Sequence, residues 1–256
     1  MNEERVARLE ASIRNFVFKN LMKSYLPFPL DRVKASQWAY PLNVPKGGKT
    51  ILYTSYMYQF ASSFKVFEKL IPTFITLGSS ELSSNLGTKL IKPKSQEIAR
   101  SDSILQNIYK MTSRVGDDIG YLYEDEPYSG SILYELGFMD EFKTYGSKMY
   151  ELFKTKNVEQ IVTVDPHTTN TLSNLKKHIQ FDIPFVSYLN LVKDSQGNGE
   201  FVLHDSCLYS RFLNMHDTIR EVLAKSGLKL VEDEFTTGKR FGVCCEAPVG
   251  PLGQIS

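Results

Sequence analysis

The sequence predicts an α/β fold with mainly parallel sheets, built as two Rossmann-like halves behind an N-terminal amphipathic helix, the second half cut short. Two observations carry that expectation. Short apolar runs rich in β-branched residues alternate with helical-period segments of ten to fifteen residues, the pattern of strand–helix–strand units. Residues with chemical potential then stand just past those runs: Tyr56, Tyr128, Asp165, Cys207 and Cys244. Ligands of parallel α/β folds gather beyond the carboxyl ends of strands, so these positions form the expected functional rim.

The bulk properties narrow the function. A chain of 256 residues, 42% apolar, holds one large or two small domains with a real core. A net charge of +1 gives no electrostatic case for nucleic acid. The apolar runs are too short to span a membrane. The opening Met1-Asn2-Glu3-Glu4 lacks the basic-then-apolar pattern of a signal peptide. Three cysteines, an odd number gathered in one stretch, do not make a disulfide framework and fit a reducing cytoplasm.

Residues 3–25 form an amphipathic helix. Val6, Leu9, Ile13, Phe16, Val17 and Leu21 recur at helical spacing, with Arg5, Arg8, Arg14, Lys19 and Lys23 around them. Such a helix either docks on its own domain or a partner, or lies on an anionic membrane surface. Residues 26–48 are a Pro-rich linker, broken by Pro27, Pro29, Pro41 and Pro45, with Trp38 anchoring it to the body. The first α/β half spans 49–182. It holds strands at Ile51–Thr54, Phe74–Leu77, Gly120–Tyr123 and Ile161–Val164. Its helices run through Phe64–Leu70, Ser101–Met111 and Phe138–Phe153, with another opened by Asp165-Pro166. Residues 78–115 are an insertion, partly helical. The second half spans 183–256, with strands at Phe185–Tyr188, Phe201–Leu203, Leu228–Val231 and Arg240–Val243 and a helix through Met215–Leu223.

All three cysteines, Cys207, Cys244 and Cys245, lie between Leu203 and Gly250. One cysteine after an apolar run, with an adjacent pair further on, is a metal-site pattern. His204 is the candidate fourth ligand of a zinc site. Strand alternation sets His204 and Cys207 on opposite faces, and adjacent cysteines splay, so a trio of buried thiols without metal stands beside that reading. His167, beside Asp165 at a helix start, is read as a capping and packing residue rather than a proton carrier. The run Glu124-Asp125-Glu126 is read as a solvated loop. Gly47-Gly48-Lys49-Thr50 precedes a strand instead of opening a helix, which rules out a phosphate loop.

The rim residues also resemble a known family. Thr163-Val164-Asp165-Pro166-His167-Thr168-Thr169 and His204-Asp205-Ser206-Cys207-Leu208 are similar to the Cys-Pro-His-Cys and His-Asp-x-Cys segments of the cysteine-rich, Cys-Cys-Gly (CCG) proteins. Those are the heterodisulfide reductase B and D subunits and the C subunit of anaerobic glycerol-3-phosphate dehydrogenase. The resemblance runs from Pro27 to the end and implies two α/β halves, each able to offer a cysteine set to an iron–sulfur cluster. Position by position, Tyr56 stands where the family has its first cysteine. Tyr128 and Ser129 replace the adjacent pair, with Gly130 kept, and Asp165 and Thr168 replace the Cys-x-x-Cys. The first set is therefore lost, because a cluster needs soft thiolates. The second keeps Cys207, Cys244 and Cys245, and the chain stops before the last Cys-x-x-Cys.

The resemblance implies a cytoplasmic protein, peripheral on the membrane face. Its expected role is an accessory, membrane-anchoring and non-catalytic subunit of a quinone-linked flavoprotein dehydrogenase of the glycerol-3-phosphate type. The expected partner is a flavoprotein dehydrogenase or reductase subunit. The alternative is a redox-active subunit, similar to heterodisulfide reductase, with an iron–sulfur or zinc site at Cys207, Cys244 and Cys245. A free-standing small-molecule enzyme is the third class, and no motif names a substrate for it.

Overall fold

The computed structural model describes residues 3–28, 30–61, 95–113, 118–192, 196–233, 235 and 237–241. The chain is an α/β protein. Helix α1 (Glu3–Ser24) leads into a short helix α2 (Arg32–Ser36) and a 3₁₀ turn (Gln37–Leu42). Strand β1 (Thr50–Tyr53) follows, then α3 (Met57–Ala61), α4 (Ser95–Ser113) and β2 (Ile119–Gly120). Next come α5 (Ser131–Glu135), α6 (Met139–Thr155), β3 (Gln160–Thr163), α7 (Pro166–His178) and β4 (Phe185–Ser187). A smaller unit adds β5 (Glu200–Phe201), a π-helical turn (Leu208–Phe212), α8 (His216–Lys225), β6 (Lys229–Leu230) and α9 (Gly238–Phe241).

The main sheet has the order β2-β1-β3-β4, and every pairing in it is parallel. Strand alternation sorts its side chains into two layers. Ile51, Tyr53 and Ile161 face α1, α6 and α7, where Val17, Leu21, Phe142, Tyr145, Met149, Phe153 and Leu172 complete one cluster. Leu52, Val162 and Val164 face the other way, onto Trp38, Leu105, Ile108 and Tyr121. A parallel sheet covered on both faces explains why these strands read as unbroken apolar runs. Strands β5 and β6 pair in parallel as a separate ribbon, joined at Phe201 and Leu230.

Most expected elements form, with instructive exceptions. The Pro-rich stretch is not simply a linker. Asp31 caps α2 by accepting from the Lys34 amide at 3.2 Å, and the 3₁₀ turn accommodates Pro41. Trp38 is fully buried there, with its ring centroid 4.9 Å from that of Tyr121. Arg240 and Phe241 belong to α9 and not to a strand. The Asp233 carbonyl accepts from the Thr237 amide at 2.9 Å, a turn that winds the chain into a helix start at Gly238. The expected helix Phe64–Leu70, the strand Phe74–Leu77 and residues 242–243 lie outside the described residues. Helix α4 runs beyond Ser101–Met111 at both ends, and Leu105 and Ile108 bury against Trp38 along its middle. Among the described residues, no helix is long and apolar enough to cross a membrane.

Residues 45–47 run beside β2, with Tyr121 donating to the Pro45 carbonyl at 2.9 Å and Gly47 donating to the Tyr121 carbonyl at 2.8 Å. This approach leaves no room at Gly120, where a Cβ would stand 1.6 Å from the Gly47 carbonyl oxygen. Because the obstacle is backbone, Gly120→Ala is expected to cost about 3 kcal/mol. Urea unfolding checks this: the midpoint falls while the slope stays that of the parent.

Candidate functional site

The rim forms at the carboxyl ends of β1 and β3, which lie side by side because Tyr53 pairs with Thr163. It is filled. The chain turns sharply past β1 through Ser55 and Tyr56, both left-handed at φ 50° and 56°. That turn aims the Thr54 and Ser55 amides at one carboxylate, Glu126, at 2.6 and 3.2 Å. The Thr54 hydroxyl donates to the other Glu126 oxygen at 2.6 Å and the Tyr121 hydroxyl at 3.1 Å. Backbone amides arranged this way form an anion cradle, and here a side chain of the same protein occupies it.

Burial pushes the Glu126 carboxyl up and the four donors pull it back, for a net rise to about 7. The acidic run is thus not a solvated loop. Tyr123 is left-handed at φ 54°, which turns Glu126 inward, and Arg32 donates to the carbonyls of Glu124 and Glu126 from outside. Glu124 and Asp125 stay near the surface, paired with Lys46 and Lys156. The sequence signal for Glu126 was its setting between Tyr121-Leu122-Tyr123 and Pro127-Tyr128, an acidic residue inside an aromatic stretch.

The positions matching the family's first cysteine set do come together, as packing. Tyr56 is fully buried under the Arg32 guanidinium, 5.8 Å from its ring centroid, and donates to the Tyr123 carbonyl at 3.0 Å. Phe60 stands edge-on between Tyr56 and Tyr128. The Ser129 amide donates to Ser55 Oγ at 2.8 Å. Asp165 caps α7 by accepting from the Thr168 amide at 2.9 Å, and burial raises its carboxyl above the ordinary range. Ser129 Oγ, Asp165 Oδ2 and Thr168 Oγ1 are buried and find no hydrogen-bond partner among the described residues. His167 Nδ1 meets Glu135 Oε1 at 2.6 Å; burial works against the imidazolium, and the carboxylate outweighs it, raising the His167 pKa. An open cleft of about 440 Å³ lies beside the carboxyl end of β4, lined in part by Ser187, Asn190, Asn214 and Thr218, none of them charged.

This donor set does not fit an iron–sulfur cluster. It offers hard oxygens and aromatic rings where thiolates are required. Among the described residues, no group of three or more His, Cys, Asp or Glu side chains is placed to hold a metal ion.

The second region is the turn at Cys207. Residues 202–206 carry no regular structure, so the expected strand alternation between His204 and Cys207 does not apply. β5 ends at Phe201 because the chain turns in to bury Asp205. His204 is exposed, Asp205 is buried, and Cys207 is half-buried where the π-helical turn begins. Cys244 and Cys245 lie outside the described residues. Asp205 is the residue that sequence reasoning passed over. It accepts from Arg220 Nη1 and Nη2, both at 2.9 Å, from Ser210 Oγ at 3.1 Å and from the Gly238 amide at 2.8 Å. Arg220 above all holds its carboxyl down at about 2.

The chain is similar to part of an iron–sulfur protein. Over 162 residues, 59% of its length, it is 28% identical to the probable iron-sulfur-binding oxidoreductase FadF of Bacillus subtilis (strain 168). The matched stretch is 23% of that relative, so the match spans less than a quarter of the relative's length. No protein-family model and no solved structure matches the chain.

The buried Glu126 carboxyl makes stability depend on pH. Folding raises it from an ordinary 4.5 to about 7, so the folded state holds the proton more tightly than the unfolded chain. Its contribution is fully present below pH 4.5 and is lost as pH rises through 7, on the order of 3 kcal/mol in all. Glu126→Gln, neutral at every pH, is expected to flatten this part of the profile. Melting temperatures between pH 5 and pH 8, compared for the two chains, measure the difference.

Proposed function

We propose that this chain is an accessory subunit of an iron–sulfur flavoprotein assembly: a CCG-type relative that keeps the α/β body of its first half without that half's cluster. One observation carries the reading. Tyr56, Tyr128, Ser129, Asp165 and Thr168, the positions matching the family's cysteines, meet at one rim and are all buried there. The similarity to an iron–sulfur-binding oxidoreductase supports the redox setting, and the loss of thiolates supports a structural role within it. The partner is a flavoprotein dehydrogenase or reductase subunit, of which the glycerol-3-phosphate type is the family's example. Helix α1 favours protein docking over lipid. Val17 and Leu21 are buried against the body, and Arg14 is paired with Glu141 at 2.7 Å.

Two measurements test this. Purified anaerobically from its own cells, the chain is expected to bring down a flavin-bearing subunit in fixed ratio. Recovery of the chain alone, with no flavin-bearing subunit in fixed ratio, would defeat the proposal. On vesicles containing phosphatidylserine, the full chain is expected to stay in the supernatant. Sedimentation with those vesicles but not with neutral ones would restore the membrane-anchor role.

A second reading has its own support. The Gly238 amide lies 2.8 Å from Asp205 Oδ2, which brings the start of α9 up to the Cys207 turn. Cys207, Cys244 and Cys245, with His204, are residues of the ligand types of an iron–sulfur or zinc site. Stoichiometric iron or zinc in the isolated chain, lost in Cys245→Ser, establishes that site. Metal-free protein under anaerobic conditions removes it.

A further inference from the structure

We infer that the carboxyl end of β3 holds a single monovalent cation of the potassium class, with oxygen ligands from Ser129, Asp165, Thr168 and Tyr209. Such a site needs neither the partner subunit nor the cysteines of the readings above. Three features of the rim lead there: its place in the sheet, its unmet oxygens and its charge.

The place is the switch point of the sheet. In the order β2-β1-β3-β4, the chain passes from β1 to β2 on one side and then to β3 on the other. Ligands of such sheets bind past the carboxyl ends of the two strands where that direction reverses. Ser55 and Asp165 each lie two residues beyond Tyr53 and Thr163, the last registered pair of β1 and β3. Glu126 fills the β1 side and has donors for both its carboxyl oxygens. The β3 side keeps oxygens to spare. Asp165 Oδ1 accepts from the Thr168 amide, while Asp165 Oδ2, Thr168 Oγ1 and Ser129 Oγ are buried with no hydrogen-bond partner among the described residues. Tyr209 Oη, carried by the π-helical turn that packs on α7, is a fourth such oxygen. Ser129 and Thr168 are fully buried and Asp165 is 5% exposed. Polar atoms so deeply buried are rarely left unmet, and several together call for a ligand.

These oxygens share one neighbourhood. Burial raises the Asp165 carboxyl, and the Thr168 hydroxyl is close enough to pull it back. Burial likewise raises the phenols of Tyr128, beside Ser129, and of Tyr209, and the Asp165 charge adds to both. The Ser129 amide, on Ser55 Oγ at 2.8 Å, keeps residue 129 at the end of β1. The charge of Asp165 has no counterpart there. Among the described residues, no Lys or Arg is ion-paired to it, and the adjacent imidazole of His167 is held by Glu135 at 2.6 Å. A buried carboxylate without a cation is costly. One carboxylate neutralises one positive charge, and hydroxyl oxygens are hard, neutral donors suited to an alkali cation. Mg²⁺ sheds its water reluctantly, and Ca²⁺ asks for about six to eight oxygens.

The test is the melting temperature of the full chain in potassium nitrate against N-methyl-D-glucamine nitrate at the same ionic strength. Thallium(I), followed by NMR, probes the bound ion directly. Potassium at about ten times its dissociation constant is expected to raise the melting temperature by roughly 4 °C. Thallium is expected to give a single bound resonance, one ion per chain, that potassium displaces. Asp165→Asn, which keeps the helix cap and removes the charge, is expected to abolish both effects. Thr168→Val, which removes one oxygen at nearly constant shape, is expected to weaken thallium binding roughly tenfold, and it decides the matter if Asp165→Asn does not fold. Equal melting temperatures in the two salts with no bound thallium overturn the inference. A potassium effect retained in Asp165→Asn does the same, as does thallium binding equal in the parent and Thr168→Val. Stoichiometric Mg²⁺ or Ca²⁺ held in place of potassium, read by equilibrium dialysis, overturns the assignment of a monovalent ion.

Discussion

The interaction on which the first unit depends is the capture of the Glu126 carboxyl group by the end of β1. Parallel strands leave their last amides pointing past the sheet, and the left-handed pair Ser55–Tyr56 gathers two of those amides onto one point. Glu126 fills that point and ties β1 to Tyr121 at the end of β2. Everything at the rim is arranged around it. Tyr56 packs under Arg32, the same guanidinium that holds the Glu124 and Glu126 carbonyls. The 125–130 segment then returns to place Tyr128 and Ser129 against Phe60 and Ser55. The crevice where such folds bind ligands has become part of the core.

The two units are held by different physics. The first has apolar layers on both faces of its sheet, and helix α1 seals one of them with Val17 and Leu21. The second has a two-stranded ribbon, little buried apolar surface and a buried carboxylate that gathers Arg220, Ser210 and Gly238. The lobe leaves Phe201, Val202, Phe212, Val231 and Phe235 exposed, whereas the first unit buries its large apolar side chains in two layers.

Legibility in the sequence followed how local each cause was. Helices α1, α6 and α7 and strands β1 and β3 were readable because their patterns repeat within one element, and the Asp165-Pro166 helix start needed no tertiary information. The linker was misread because α2 depends on a local Asp31 cap and on Trp38 finding Tyr121, more than eighty residues away. Glu126 was misread for the same reason: an acidic triplet predicts solvent, and only the distant Thr54–Ser55 turn makes one member of it internal. At the candidate site, the sequence pointed to Tyr56, Tyr128, Ser129, Asp165 and Thr168 as rim positions. That the replacements would pack together, and that Asp205 would organise the Cys207 turn, required partners in other elements.

The occupied cradle also bears on descent. If the first unit once carried thiolate ligands, restoring a cysteine at Tyr56 alone would not bring a cluster back. The smaller side chain would leave a void beside Phe60 and take away the ring beneath Arg32. A buried carboxylate would remain next to a site that must gather further negative charge. The rim is thus held by interlocked packing, in which each of these side chains has become a condition for the placement of the others.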